Sequence, residues 1–307
     1  MRALLILIGG LVAHSAQAQV KAEIVQFYSE AVRCNAKLFT PTNHSATANA
    51  PGVVLAPGAR ATRASVESFA DAIAKRGIVA LAIDYRGWGE CGGFLYFGEP
   101  VRWDDRLRFM EMTTTINIRR LRLDPQAQLI DIRNAMTFLQ GVPGVDRARI
   151  GVWGTDLAGG HVIAIAGSDA RVKAAVAQVP LIAGKDVPRA AFAPTAQQQA
   201  VMIKLARQGA SPTNDRAAKT MNAQEAQLAL AEYRPYWYVE QIPQTTAVLF
   251  VVAEKDEKVN NETNAIAAST VLKGATSVTT LAGAKHSIAG KEAEAANAAA
   301  EWFAKHL

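Results

Sequence analysis

Asp156 stands where a single side chain could do chemistry. The run Ile150-Gly151-Val152-Trp153 reads as a short apolar strand, and Gly154-Thr155-Asp156 as a tight turn. Leu157-Ala158-Gly159-Gly160-His161 then opens a helix, so the carboxylate sits at the apex of a strand–turn–helix. A carboxylate fixed at the end of a strand can attack carbon. Asp256 follows the apolar run Ala247–Val252, and His286 follows Ser277–Leu281, so both also stand at strand ends. Imidazole changes charge near neutral pH, and two carboxylates flanking His286 favour its charged form.

These positions can meet only if the runs before them are neighbouring strands. Gly52–Ala56, Ile78–Asp84, Arg149–Trp153, Val172–Val179 and Ala247–Val252 are largely continuous apolar runs, as buried parallel strands are. Helices are predicted over Ser65–Arg76, Gln126–Gln140, Leu157–Gly167, Glu262–Leu272 and Ala293–His306. Ala22–Tyr28 and Ala31–Thr40 alternate in polarity and read as a hairpin. Strands alternating with helices predict an α/β fold, a mostly parallel, doubly wound sheet with its reactive groups at the carboxyl ends of the strands. Pro57-Gly58, Tyr85, Asp156, Asp256 and His286 all fall there. Two stretches depart from the alternation. Trp103–Leu123, rich in Arg, Thr and Ile, reads as an excursion. Residues 181–238 are Ala- and Gln-rich and helical, end in Tyr233, Tyr236, Trp237 and Tyr238, and suit a helical cap. No linker divides the chain, so residues 19–307 are expected to form a single domain with that cap.

Met1–Ala18 has the form of a secretory signal peptide. Arg2 precedes the apolar run Leu4–Val12, and Ala16-Gln17-Ala18 is an A-x-A cleavage site, so a mature chain starting at Gln19 is expected in the periplasm or outside the cell. The apolar run is too short to span a bilayer and none later is long enough, so no membrane insertion is expected. The net charge of +6 is scattered, with a mild cluster at Arg106, Arg108, Arg119, Arg120 and Arg122. That reads as a solvated face, not a nucleic-acid surface. Export permits a disulfide between Cys34 and Cys91, while their settings suit ordinary small apolar residues. No ligand-like spacing of His, Cys, Asp and Glu and no phosphate-binding glycine loop is present, so neither a metal nor a nucleotide cofactor is expected. Oligomeric state leaves no mark in the sequence.

Four segments resemble the α/β-hydrolase superfamily, in its dienelactone-hydrolase and X-Pro-peptidase-like branch. Asp84-Tyr85-Arg86-Gly87-Trp88-Gly89-Glu90-Cys91-Gly92-Gly93 matches D-Y-R-G-x-G-x-S-G-G except for Cys91. Asp146 through His161 matches D-x-x-R-I-G-x-W-G-T-S-x-x-G-G-H, with Asp156 in place of the nucleophilic Ser. Ala253-Glu254-Lys255-Asp256 and Gly283-Ala284-Lys285-His286 complete the match, which covers nearly all of the mature chain. Pro57 departs as well, where the branch usually has the His that opens the loop after the third strand.

The resemblance implies a nucleophile, an acid and a His in chain order, met here by Asp156, Asp256 and His286. Among the histidines, His14 lies in the leader, His44 in a polar loop, His161 inside the helix after the elbow and His306 beside the C-terminus, which leaves His286 as base. Glu254 and Glu257 compete with Asp256 for the orienting role. The resemblance also implies an oxyanion hole from the backbone N–H groups of Leu157 and of Ala59 or Arg60. Asp156 then has two readings. As a nucleophile it attacks a small molecule at an sp3 carbon, as in epoxide hydrolases and haloalkane dehalogenases, with Tyr85, Tyr233, Tyr236, Trp237 and Tyr238 as candidate acids or substrate contacts. Halide release usually needs a Trp or Asn donor directly after the nucleophile, and Leu157 stands there, which favours the epoxide. In the alternative reading the site is altered, and the chain is an inactive homologue acting in binding or a hydrolase of non-standard, esterase type.

Overall fold

The computed structural model describes residues 19–98, 104, 106, 108–182, 195–208 and 214–307. The leader reading of Met1–Ala18 lies outside the described residues, as do 183–194 and 209–213 of the expected cap.

Among the described residues ten strands arise in chain order: β1 Val20–Ser29, β2 Val32–Pro41, β3 Ala50–Ala56, β4 Val79–Ile83, β5 Phe94–Phe97, β6 Ile116–Arg119, β7 Val145–Thr155, β8 Val172–Gln178, β9 Ala247–Ala253 and β10 Thr276–Leu281. Eight of them make one sheet in the order β1-β2-β4-β3-β7-β8-β9-β10. β1 and β2 pair antiparallel, β2 runs antiparallel to β4, and every pair from β4 onward is parallel. The apolar runs are the central strands: β4 and β9 are buried along their full length, because helices cover both faces of the sheet. This is the α/β-hydrolase arrangement.

One face is covered by α1 (Glu67–Ala74) and α7 (Glu292–His306), which bury Phe69, Ile73, Ala299 and Phe303 against Val53, Leu55 and Trp153. The other is covered by α2 (Pro125–Gln140) and α3 (Leu157–Ser168), with Leu129, Ile132, Met136, Val162 and Ile165 in its core. The side chain of Asp124 caps α2 by accepting from the Ala127 N–H, with Pro125 at the first helical position. α3 is buried from Leu157 to Ala166, and the 3-10 segment Pro235–Gln241 packs on its outer side. The cap supplies α4 (Ala196–Gln208) and α5 (Asp215–Glu232). The Glu262–Leu272 helix begins with a π turn, Glu262–Ile266, and continues as α6, Ala267–Val271.

Register puts the reactive ends in a row. Ala56 of β3 lies beside Gly154 of β7, Thr155 beside Gln178 of β8, Gln178 beside Val251 of β9, and Ala253 beside Leu281 of β10. The chain leaves each strand at about the same height, so Gly58, Asp156, Asp256 and His286 emerge on one edge.

The excursion contains the antiparallel pair β5–β6, which places Leu95 opposite Ile118 and Phe97 opposite Ile116. Below it, Arg86 and Asp131 form a buried ion pair. Arg86 Nε donates to Asp131 Oδ1 at 2.7 Å, the Arg86 N–H donates to Oδ2 at 3.0 Å, and Ser29 Oγ donates to Oδ1 at 2.6 Å. Arg86 also pairs with Glu30. Removing Asp131 leaves the buried Arg86 with only the exposed Glu30 carboxylate as counter-charge. Asp131→Ala is therefore expected to lower unfolding free energy by about 3–5 kcal/mol, read as a lower urea midpoint with an unchanged slope. Cys34 and Cys91 are both buried free thiols, and Cys91 Sγ donates to the Asp84 carbonyl at 3.1 Å. No helix among the described residues is long and apolar enough to cross a membrane.

Candidate active site

The elbow is strained. Asp156 has φ 57° and ψ −122°, a region a non-glycine residue enters at a cost on the order of 1–3 kcal/mol. Hydrogen bonds hold it there. Its N–H donates to the Gln178 carbonyl, and its carbonyl accepts from the Gly159 and Leu181 N–H groups, all at 3.0 Å. Gly154 is required because a Cβ there would strike the Ala158 carbonyl. Gly58 lets the turn after β3 approach, since even a methyl group would lie 3.2 Å from Asp156 Cβ.

That approach places a backbone donor on the carboxylate. The Ala59 N–H donates to Asp156 Oδ2 at 3.1 Å, and the Leu157 N–H adds to it. Arg60 follows with φ 61°; the donor in this turn is Ala59. On the other side, Asp156 Oδ1 lies 3.3 Å from His286 Nε2. His286 Nδ1 lies 3.0 and 2.9 Å from the two oxygens of Asp256. The Asp256 side chain is fully buried, and its Oδ1 also accepts from the Lys258 and Val259 N–H groups at 2.9 Å. The competition among Glu254, Asp256 and Glu257 resolves into three roles. Asp256 meets the ring, Glu257 accepts from the His286 N–H at 3.1 Å, and Glu254 accepts from the Gly283 N–H at 2.6 Å.

Charge states follow from these contacts. The hydrogen bond to Asp156 raises the His286 pKa, burial opposes it, and Asp256 adds to the rise. Burial pushes the Asp156 carboxyl up, but the hydrogen bonds from His286, Ala59 and Leu157 outweigh it and leave its pKa lowered. The resting pair is therefore carboxylate and imidazolium at acidic to neutral pH.

A cavity of about 340 Å³ opens beside the pair, with Phe69, Gln178, Lys258 and Ser287 in its wall. None of the aromatic candidates is among its lining residues. The Tyr85 hydroxyl is buried and donates to the Pro57 carbonyl at 3.1 Å. Tyr233 is buried with its hydroxyl 2.6 Å from His161 Nδ1. Tyr236 donates to the Ala267 carbonyl at 3.4 Å, Tyr238 lies over Gly167, and Trp237 is exposed. The hydroxyls of Tyr85, Tyr233 and Tyr236 are engaged in holding the turn and the cap, and the structure places none of the five aromatic candidates in the wall of this cavity. His161, read as a packed helix residue, is fully buried, and burial pushes its pKa down to about 3. Among the described residues, no group of three His, Cys, Asp or Glu is placed to hold a metal ion.

The dienelactone hydrolase family model matches residues 34–237, from β2 through the elbow and into the cap. The chain belongs to the dienelactone hydrolase family. The quorum-quenching protein AidA of Acinetobacter baumannii is 32% identical over 161 residues, which is 52% of this chain and 44% of that protein. The thiohydrolase aneE of Aspergillus aculeatus is 32% identical over 136 residues, 44% of this chain and 35% of its own length. The matched regions thus span less than half of these relatives. Among solved structures, a hypothetical protein, PA2218 from Pseudomonas aeruginosa, superposes with a TM-score of 0.67 at 19% identity, covering 95% of both chains. The α/β hydrolase GrgF from Penicillium superposes with a TM-score of 0.64 at 20% identity, covering 93% of this chain and 99% of its own. At these identities the likeness is one of fold, and it runs through His286 to the last helix.

Proposed function

We propose that this member of the dienelactone hydrolase family is an exported hydrolase that uses Asp156 as a nucleophile toward an sp3 carbon, with small epoxides as the first substrate class and alkyl halides as the second. The observation that supports it is the division of labour between the two carboxylate oxygens. Oδ2 rests on the Ala59 N–H, where an oxyanion is held in acyl-transfer relatives of the fold, while Oδ1 is turned toward His286. Attack on a ring carbon makes an alkyl ester of Asp156. His286, once neutral, takes a proton from water, which adds to the ester carbon, and the charge that develops on the carbonyl oxygen is met by the backbone donors already in place. Asp256 holds the ring throughout.

The same geometry argues against simple ester cleavage. A carboxylate attacking an acyl carbon gives a mixed anhydride, and here it also sits on the donor an acyl oxygen would need. Ring opening of an epoxide calls for a proton donor, and the cavity wall offers Lys258 and Ser287 in place of the cap tyrosines. The thiohydrolase and quorum-quenching relatives keep a second reading in play, an acyl hydrolase with a modified site.

Intact-mass spectrometry separates the two. His286→Gln, incubated with a panel of small epoxides and haloalkanes, is expected to gain one substrate mass, localised to Asp156, because hydrolysis of the alkyl ester is blocked. An unmodified mass across the panel, with ester or thioester turnover by the unsubstituted protein, would establish the acyl reading instead.

A further inference from the structure

The mechanism leaves His161 unused, although it is one of the most enclosed polar groups in the protein. It lies on α3, one turn after Asp156, with no exposure. Nε2 lies 2.9 Å from Gln128 Oε1 on α2, and Nδ1 lies 2.6 Å from the Tyr233 hydroxyl at the end of α5. An amide oxygen only accepts, so Nε2 carries the proton, Nδ1 is a bare acceptor and Tyr233 donates. Burial keeps the ring neutral through the working pH range. The ring of Tyr85 meets His161 edge-on, with centroids 6.1 Å apart at 89°. The Tyr85 hydroxyl in turn donates to the Pro57 carbonyl.

Pro57 starts the turn that carries the Ala59 N–H onto Asp156. Its carbonyl shares one rigid peptide plane with the Gly58 nitrogen, so the Tyr85 hydroxyl anchors the turn one residue before the Ala59 N–H. The contacts are continuous: Tyr233 of the cap, His161, Tyr85, the Pro57 carbonyl, then the donor on the nucleophile. Burying these polar groups costs free energy that an apolar packing would not. The Gln128 Nε2 amide is buried with no partner, so the network is not one that burial alone would select.

We propose that Tyr85 and His161 are positioning residues that tie the cap, through Tyr233, to the Ala59 N–H, so that the seating of the cap sets the hold on the Asp156 carboxylate. The effect on turnover rests on the Asp156 reading; the coupling itself does not. Tyr85→Phe and Tyr233→Phe each delete one hydroxyl from the contiguous chain and keep the ring packing. Each is expected to lower kcat by about tenfold while KM stays within about twofold, as loss of positioning does. Amide hydrogen exchange at Ala59 is expected to speed up by about tenfold in both. A merely structural role for the cap tyrosine would leave exchange in the Pro57–Ala61 turn unmoved. Unchanged exchange at Ala59 in both variants overturns the proposal, whatever kcat does. Faster exchange in both, with no epoxide turned over by the unsubstituted protein, supports the coupling and refutes the displacement chemistry.

Discussion

Asp156→Ser is expected to lose epoxide turnover by about 10⁴-fold or more while gaining hydrolysis of activated esters such as nitrophenyl acetate. The loss follows from the chemistry: without the carboxylate there is no alkyl ester, and a lone hydroxyl is a weak nucleophile toward an unactivated ring carbon. The gain follows from what the carboxylate now covers. In the native site Oδ2 holds the Ala59 N–H. A serine vacates it, so that N–H and the Leu157 N–H are free for the oxyanion of a tetrahedral intermediate, where one such donor is worth about 10²–10³ in rate. His286, oriented by Asp256, is already within reach of the apex. The strained backbone of Asp156 is the one a serine nucleophile occupies in this fold, so no rearrangement is needed. The measurement is stopped-flow release of nitrophenol. A burst followed by steady turnover is the expected trace. A variant that folds and shows no ester hydrolysis would mean that the turn carrying Pro57, where the family usually has His, no longer serves acyl transfer.

The elbow was legible in the sequence because its signals are local. An apolar strand, a glycine whose Cβ would strike Ala158, and a buried helix leave little else for residues 150–166 to be. The row of strand ends was legible for the same reason, since buried parallel strands are continuous apolar runs. Direction was not legible. Tyr85 and Tyr233 are the aromatic types a substrate site would use, but a side chain's type does not say which way it points. Both turn toward His161, and a single His on an apolar helix gives no hint that it draws two tyrosines to it. Nor could type choose among Glu254, Asp256 and Glu257, three carboxylates in four residues. The path of the Ala282–His286 loop decides which oxygen meets the ring and which meet backbone N–H groups. β5 went unread because it is only four residues long. Leu95 and Phe97 face outward opposite the exposed Ile118 and Ile116, and all four residues of β5 are aromatic or aliphatic, so the alternation in burial has no counterpart in polarity.

Asp256→Asn is expected to reduce kcat by about 10³–10⁴-fold and to move the pH dependence of what remains. An amide at this position can donate to Nδ1, which favours the tautomer with the proton on Nε2, the atom that must accept from water. The remaining activity also has a different midpoint. In the native protein the hydrogen bond to Asp156, with Asp256 adding to it, holds the His286 pKa above its ordinary value of 6.5. Imidazolium is not a base. In the alkyl-enzyme Asp156 is a neutral ester and no longer raises the ring, so kcat should climb with pH through a midpoint below the resting value, held up by Asp256 alone, and level off in the alkaline range. With Asp256 neutralised that carboxylate is gone too, and the climb should shift to lower pH. Stability runs the other way across the same window. A group whose pKa is raised by folding contributes fully below its unfolded pKa, and loses that contribution as pH rises through the folded value. The lowered Asp156 pKa adds an opposite requirement: its contribution is present above the unfolded value of 3.8 and is lost as pH falls through the folded one. The two groups together favour the folded site most between about pH 4 and 6.5, where His286 is charged and turnover is slow. Urea midpoints and kcat measured on the same preparation from pH 5 to 9.5 test this directly. The expected curves diverge through the His286 titration, one falling as the other rises. A kcat that is flat across the range would remove His286 as the base. A contribution of His286 to stability that grows with pH, read as the difference between the native protein and His286→Gln, would remove the charged pair as the resting state.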